Sequence, residues 1–212
     1  MNQSILKIVF LSIFVLTGLH HGESVAGAKN ATSGEIRLQQ AYVWYDGEQE
    51  RQIWFDPALV AEFNAGSGNT AQSAVKSVYA DAVPVPMRHG AVRVWYLGSG
   101  VEASAAVSAL NSIKPAGNYS PVLRDGPTTT GRMRALPGNI IVYLNPAWDS
   151  AAVNTWISQR KLEIVKKLEI GPNIYIIKTG PGLEALNTAN ALYKSGEVVA
   201  AFPDWWEEVT TR

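Results

Sequence analysis

The feature that most restricts this chain is an internal repeat with a period close to 80 residues. The run Tyr45-Asp-Gly-Glu-Gln-Glu-Arg-Gln-Ile-Trp-Phe-Asp-Pro-Ala-Leu-Val-Ala-Glu-Phe63 has a counterpart between Arg124 and Leu144. Each copy carries an Asp-Gly turn signal, a short mixed stretch, a proline and then a β-rich apolar run. Asp46 and Asp125 lie 79 positions apart, and Pro57 and Pro137 lie 80 apart. Further on, Ala91-Val-Arg-Val-Trp-Tyr-Leu-Gly-Ser-Gly-Val-Glu102 parallels Asn173-Ile-Tyr-Ile-Ile-Lys-Thr-Gly-Pro-Gly-Leu-Glu184, with the Gly-x-Gly steps 82 apart. Solenoid repeats run to about 50 residues, so this period describes a duplicated small domain.

The second copy carries the clearer pattern. Ile140 to Leu144 reads as a buried-type strand. Asp149 is placed to cap a helix whose apolar side is Ala152, Val153, Trp156 and Ile157. Lys161 to Ile170 alternates as a strand, with Leu162, Ile164, Leu168 and Ile170 as its apolar members. Gly171-Pro172 interrupts it and Ile174 to Lys178 returns. A helix opening at Gly182 places Leu183, Leu186, Ala189 and Tyr193 on one side, Ser195-Gly196 stops it, and Val198 to Phe202 is the last strand. This β-α-β-β-α-β order is the split βαβ pattern of ferredoxin-like folds. The first copy predicts strands near 58–63, 82–87, 91–97 and 119–124, and helices near 70–80 and 101–112. A hairpin of Tyr42–Tyr45 with Gln52–Phe55 stands in front of it. The expected architecture is α+β: two tandem ferredoxin-like modules, the first with its hairpin over 29–126 and the second over 127–204, then an extended C-terminal tail over 205–212.

Residues 1–28 read as a signal peptide. One cation precedes an apolar run, Ile8 to Leu16, whose one polar member is Ser12, and a polar stretch leads to the small-residue site Ala26-Gly27-Ala28. The apolar run is shorter than the roughly 20 residues of a membrane span. A secreted or periplasmic protein, with no membrane contact after cleavage, is the expectation. Export permits disulfides, yet the chain has no cysteine, which excludes thiol chemistry and Cys-ligated zinc. The formal net charge is zero and no basic stripe is present, so nucleic-acid binding lacks its electrostatic basis.

The inventory for catalysis is thin, and the chain reads as a non-enzyme. Of three histidines, His20 and His21 fall in the signal segment, leaving His89 beside a turn glycine. Neither a Gly-x-Ser-x-Gly nor a His-Glu-x-x-His motif occurs. The Gly98/Gly100 and Gly180/Gly182 pairs do not extend to a phosphate-binding fingerprint. Glu102 and Glu184 would repel an anion there and suit the first turn of a helix instead. Gly66-Ser67-Gly68 reads as a loop. Asp204, Glu207 and Glu208 read as solvated charge rather than an acid/base pair or a metal site, and no cofactor is expected.

The C-terminal run Phe202-Pro-Asp-Trp-Trp-Glu-Glu-Val-Thr-Thr-Arg212 is more telling. Adjacent residues such as Trp205 and Trp206 cannot both face one core. One reading has one tryptophan on the sheet edge and one on the surface; the other docks the tail into a partner's groove, where aromatic anchors dominate binding.

Three segments carry a family resemblance: Asn139-Ile-Ile-Val-Tyr-Leu144, Leu183-Glu-Ala-Leu-Asn-Thr-Ala-Asn-Ala-Leu-Tyr193 and Ser195-Gly-Glu-Val-Val-Ala-Ala-Phe-Pro-Asp204. They resemble the N-terminal propeptides of bacterial subtilisin-like serine proteases, as do Tyr42-Val-Trp-Tyr-Asp-Gly47 and Pro121-Val-Leu-Arg-Asp-Gly126 of the longer propeptides. The family's catalytic Asp, His and Ser motifs are absent from the chain, so the resemblance is to free-standing members that chaperone and inhibit a separate protease. It implies an open sheet face laid across two parallel helices of the protease, favouring a slow-forming topology. It also implies acidic groups, Glu169 first and Glu163 second, capping those helices. The tail would form an extra strand in the substrate cleft. Arg212 would then fill the first specificity pocket, with Thr211 and Thr210 behind it, Val209 in the fourth and the terminal carboxylate near the oxyanion hole. Two other readings stand beside this: an exported ligand- or surface-binding module with no protease partner, and a detached propeptide from a split protease gene.

Overall fold

The computed structural model describes residues 36–63, 73–86, 92–113 and 117–209. All lie in one unit, Glu35–Arg212. The expected signal segment 1–28, the Gly66–Gly68 loop, His89, Thr210, Thr211 and Arg212 lie outside the described residues. What is described is α+β, with four α-helices and two sheets, mostly antiparallel strand.

The first Asp-Gly step makes a tight turn, with Gly47 at φ +62°, between β1 (Ala41–Asp46) and β2 (Gln49–Phe63). Tyr42 faces Ile53 and Tyr45 faces Glu50 across the hairpin. The hairpin does not stand apart from the strand expected at 58–63; both belong to the 15-residue β2. Pro57 brings no N–H to the ladder, and the sheet absorbs it where the register with β5 (Asn118–Arg124) shifts between Asp56 and Val60. Buried Asp56 closes this bulge by accepting from the Ala58 N–H at 3.1 Å and pairing with Arg124 at 3.0 Å.

Between β2 and β5 run α1 (Ala74–Val78), β3 (Val83–Pro84), β4 (Arg93–Tyr96) and α2 (Ala103–Ser112). Ser73 caps α1 by accepting from the Val75 N–H. After the second Asp-Gly step, β6 (Met133–Ala135) pairs with β5. The first sheet therefore runs β6-β5-β2-β4-β3, with β1 also on β2. The module boundary expected at 126/127 accordingly falls inside this sheet. The chain changes sheets later, at Leu136-Pro137-Gly138. Gly138 sits at φ +110°, and a Cβ there would lie 3.0 Å from the Thr179 carbonyl, so this crossing needs glycine.

The second sheet comprises β7 (Ile140–Tyr143), β8 (Ile164–Lys167), β9 (Ile174–Ile177) and β10 (Ala200–Pro203), ordered β10-β7-β9-β8, with all pairs antiparallel. Helix α3 (Ser150–Gln159) joins β7 to β8, and α4 (Leu183–Lys194) joins β9 to β10. Asp149 caps α3 as expected, accepting from the Ala152 N–H at 2.8 Å. Val153, Trp156, Ile157, Ala185, Leu186 and Ala189 pack the helices onto one face of the sheet. The strand expected over 161–170 is shorter: β8 is an edge strand with all four residues exposed, and Ile170 is 73% exposed. A bulge between Ile164 and Lys166 breaks the alternation that the apolar spacing implied.

One core spans both modules and reaches from Ile53, Val60 and Leu110 to Ile140, Ile177 and Leu186. The β1 hairpin ties them together. Asn190 Nδ2 on α4 donates to the Val43 carbonyl at 2.7 Å, and Tyr45 stacks on Tyr193 at 4.4 Å. A second, smaller core lies on the other face of the first sheet, where Leu59, Ala61, Phe63, Val94 and Val122 are buried.

The C-terminal segment departs from expectation. Trp205 to Glu208 is not an unattached extended tail. The chain leaves β10, crosses to the first sheet and adds β11 (Trp206–Glu207) to the edge of β6, with Trp206 opposite Ala135. Successive residues of an extended segment point opposite ways, and here there is a core on either side. Trp205 packs edge-on against Trp44 at 5.4 Å in the large core, while Trp206 meets Phe63 at 6.5 Å in the small one.

Candidate functional site

In the second sheet the helices cover one face only. Strand neighbours on that face are Ile140, Val142, Ile177 and Ala201, all buried. The alternate residues therefore face the other way. Phe202 pairs with Ile141, Ile141 with Ile176, and Ile176 with Lys166, giving one continuous row across four strands. The adjoining row is Ala200, Tyr143 and Ile174, with the Leu168 N–H bonded to the Ile174 carbonyl. Phe202, Ile141, Ile176 and Tyr143 are only half-buried. Tyr143 and Phe202 meet edge to face at 5.7 Å. The result is an apolar strip ending at the exposed ammonium of Lys166, on a sheet whose opposite side alone carries helices.

The sequence held a sign of this strip. Ile140-Ile-Val-Tyr143 and Ile174-Tyr-Ile-Ile177 are apolar at every position, and such strands want cover on both faces. Only two helices are available to that module, and both lie on one side.

At the β8–β9 hairpin, Glu169 is exposed and makes no hydrogen bond or ion pair with the described residues. It adjoins the exposed Ile170. Glu163 is engaged in the molecule, its carboxylate 2.9 Å from Lys178 Nζ, so of the two acids expected to cap a partner's helices only Glu169 is unencumbered. The strip and this hairpin belong to the same sheet.

The tail residues separate into two groups. Trp205 and Trp206 are half-buried against their own protein, which withdraws them from the expected groove-docking set. Arg134 holds Trp205 in place: its guanidinium lies 5.5 Å from the Trp44 ring and 5.6 Å from the Trp205 ring. It also reaches Asp125 at 2.8 Å and Glu207 at 2.5 Å. Arg132 binds the same two carboxylates at 2.6 and 2.9 Å, and the hydrogen bond to Asp125 pushes its pKa further above the usual arginine value. The Glu208 N–H donates to the Met133 carbonyl at 2.9 Å. The next residue, Val209, is 86% exposed.

The other motifs are spent inside the fold. The Glu184 carboxylate accepts the Gly180 N–H at 2.9 Å and fills the space beside Gly180, where a side chain would collide with it. The Gly180-Pro181-Gly182 loop is thus occupied by its own helix. Glu102 occupies the N-cap of α2 without a side-chain cap bond. Asn118 begins β5 and donates to the Pro137 carbonyl at 2.9 Å. Among the described residues there is no cluster of three or more metal-ligating side chains and no helix long and apolar enough to cross a membrane.

No family model matches the chain, and neither the curated proteins nor the solved structures give a match.

Proposed function

We propose that this is an exported, non-enzymatic binding protein that chaperones and inhibits a subtilisin-like serine protease. The observation that carries the reading is the uncovered strip Phe202–Ile141–Ile176, with Tyr143 beside it. An apolar sheet face of this kind suits a pair of surface helices. Glu169, at the hairpin of the same sheet, is positioned to meet the positive N-terminal end of one of them. The propeptide-like segments 139–144, 183–193 and 195–204 support the same reading, since they form β7, α4 and β10 of this module.

The cleft-binding part of the tail is narrowed to Val209, Thr210, Thr211 and Arg212. Trp205 and Trp206 act as its anchor rather than its bait. Val209 is the first residue clear of the fold, and four residues make a strand long enough to pair in a substrate cleft.

We further propose that the two modules are tandem ferredoxin-like units from one duplication. Both runs have the order β-α-β-β-α-β, and both place their strands fourth-first-third-second: β5-β2-β4-β3 and β10-β7-β9-β8. The hairpins agree too, because β5–β6 repeats the pairing of β1 with the first half of β2. At the proline the copies part: Pro57 becomes a bulge and Pro137 a change of sheet.

The test is inhibition of purified subtilisin-type proteases by the full chain. Ile176→Asp in the strip is expected to weaken inhibition by about a hundredfold or more, because it forces a carboxylate into an apolar contact. Refolding of a denatured protease lacking its own propeptide should accelerate with the wild-type chain and not with the variant. A chain that neither inhibits nor speeds refolding, or a variant equal to wild type in both, overturns the proposal.

A further inference from the structure

We propose that the first module serves as a clasp that fixes where and in which direction the chain beyond Glu208 leaves the protein. The inference rests on the protease-binding reading and assigns to that site a positioning device. Nothing in the strand order of the second module requires the C-terminal segment to visit the other sheet, yet it does so and is held there by six residues. Trp206 pairs with Ala135, and the Glu208 N–H reaches Met133. Trp205 lies against Trp44 and Arg134, and Trp206 against Phe63. Glu207 receives both Arg132 and Arg134.

This is more restraint than a two-residue strand needs for its own sake. It also ends abruptly: Glu208 is bonded to the sheet and Val209 is in solvent. A free peptide entering a cleft loses the conformational freedom of every residue it orders. Fixing one end of the tail on the same protein that carries the docking face makes the second contact intramolecular, and such linkage raises affinity by about 10²- to 10⁴-fold when the geometry fits. Strip and tail then bind as one bidentate ligand whose spacing the first module sets. Glu207 is the positioning residue: it touches no protease atom, and acts through the direction it gives Val209.

The experiment uses the full chain, wild type and Glu207→Lys, which places a third cation against Arg132 and Arg134, with Ile176→Asp as the comparison. Two quantities are read: hydrogen exchange at the Glu208 amide and the inhibition constant against a subtilisin-type protease. Expected for Glu207→Lys are faster exchange at Glu208, unchanged exchange in β7 and β9, and inhibition weaker by about tenfold to a hundredfold. Glu207→Gln should fall between it and wild type in both readings. Faster exchange with unaltered inhibition overturns the clasp while leaving the protease reading intact. So does a Glu208 amide that stays protected in Glu207→Lys. Absence of inhibition by the wild-type chain overturns the underlying reading, and the positioning role with it.

Discussion

The two modules share an order of strands and helices but treat the side of the sheet opposite their helices in contrary ways. In the first, Leu59, Ala61, Phe63, Val94 and Val122 are buried there, with Met133, Val85, Val92 and Trp206 packed over or beside them. In the second, Ile141, Tyr143, Ile176 and Phe202 are only half-buried. A shift of 80 positions sets Phe63 on Tyr143 and Ala61 on Ile141. At positions 80 apart, then, the face opposite the helices is buried in the first sheet and left apolar and half-buried in the second. In the first sheet Met133 and Ala135 of β6 and Trp206 of β11 join that buried cluster. Sealing gives a rigid platform; leaving the face open keeps a surface for something else to cover.

The widest expected difference tests that contrast at the paired positions. Phe63→Ala removes a buried ring beside Trp206 and should cost about 3–5 kcal/mol of stability. Tyr143→Ala, on the open face, should cost about 1 kcal/mol. Urea titration of both variants measures this; equal losses would mean that the second face is covered after all.

The next contrast lies on the helix side. Glu62 is 2% exposed and accepts from both Ser73 Oγ, at 2.8–2.9 Å, and Trp95 Nε1, at 2.9 Å. It has no ion-pair partner among the described residues. Burial, and then the charge and hydrogen bond of Glu62, push the Tyr119 phenol above its ordinary value. The position 80 residues on is Val142, an ordinary core residue. Glu62→Val should not simply convert one module to the other. It strands the Trp95 and Ser73 donors, at about 2–4 kcal/mol, which the urea midpoint and the Trp95 fluorescence would report together.

Much of this architecture was legible because periodicity and caps are local. Asp149, Gly182, the Asp-Gly turns and the apolar sides of α3 and α4 each declare themselves within a few residues. What was hidden depends on partners distant in sequence. That β2 runs straight through Pro57 follows from the bulge against β5, which no neighbouring residue announces. That Trp205 and Trp206 fold back follows from Trp44 and Phe63, more than a hundred residues earlier. Adjacent residues cannot share one core, but a sheet with a core on each side satisfies both at once. The strip was half visible in strands apolar at every position, but only the placement of both helices on one side made it a surface.

Where the modules meet, smaller effects are expected. Asn190→Ala removes the bond from α4 to the Val43 carbonyl, at about 1 kcal/mol. Calorimetry should still show a single transition, because the shared core from Ile53 to Leu186 is untouched. Two separated transitions would show that this one bond, rather than the core, unites the two sheets.

The smallest effect concerns three aspartates at equal spacing. Asp204 follows Asp125 by 79 residues (204 − 125), as Asp125 follows Asp46 (125 − 46). Asp46 is paired with Arg51 at the surface, and Asp125 holds Arg132 and Arg134. Asp204, at the crossing from β10 to β11, has no cation among the described residues, and burial raises its pKa above the usual carboxylate value. The folded protein therefore keeps this proton to higher pH than the unfolded chain does. Between the ordinary and the raised pKa the native state binds more protons, so stability falls as pH rises through that interval, and the loss is complete above it. Asp204→Asn should accordingly stabilise the protein at neutral pH and do little in acid, below the ordinary carboxylate range. Asp125→Asn should do the reverse at neutral pH, because it weakens charged hydrogen bonds to two arginines. Urea midpoints measured from acid to neutral pH decide the matter. A benefit from Asp204→Asn that is the same at every pH would remove ionisation as its cause and leave only a change in packing at the crossing.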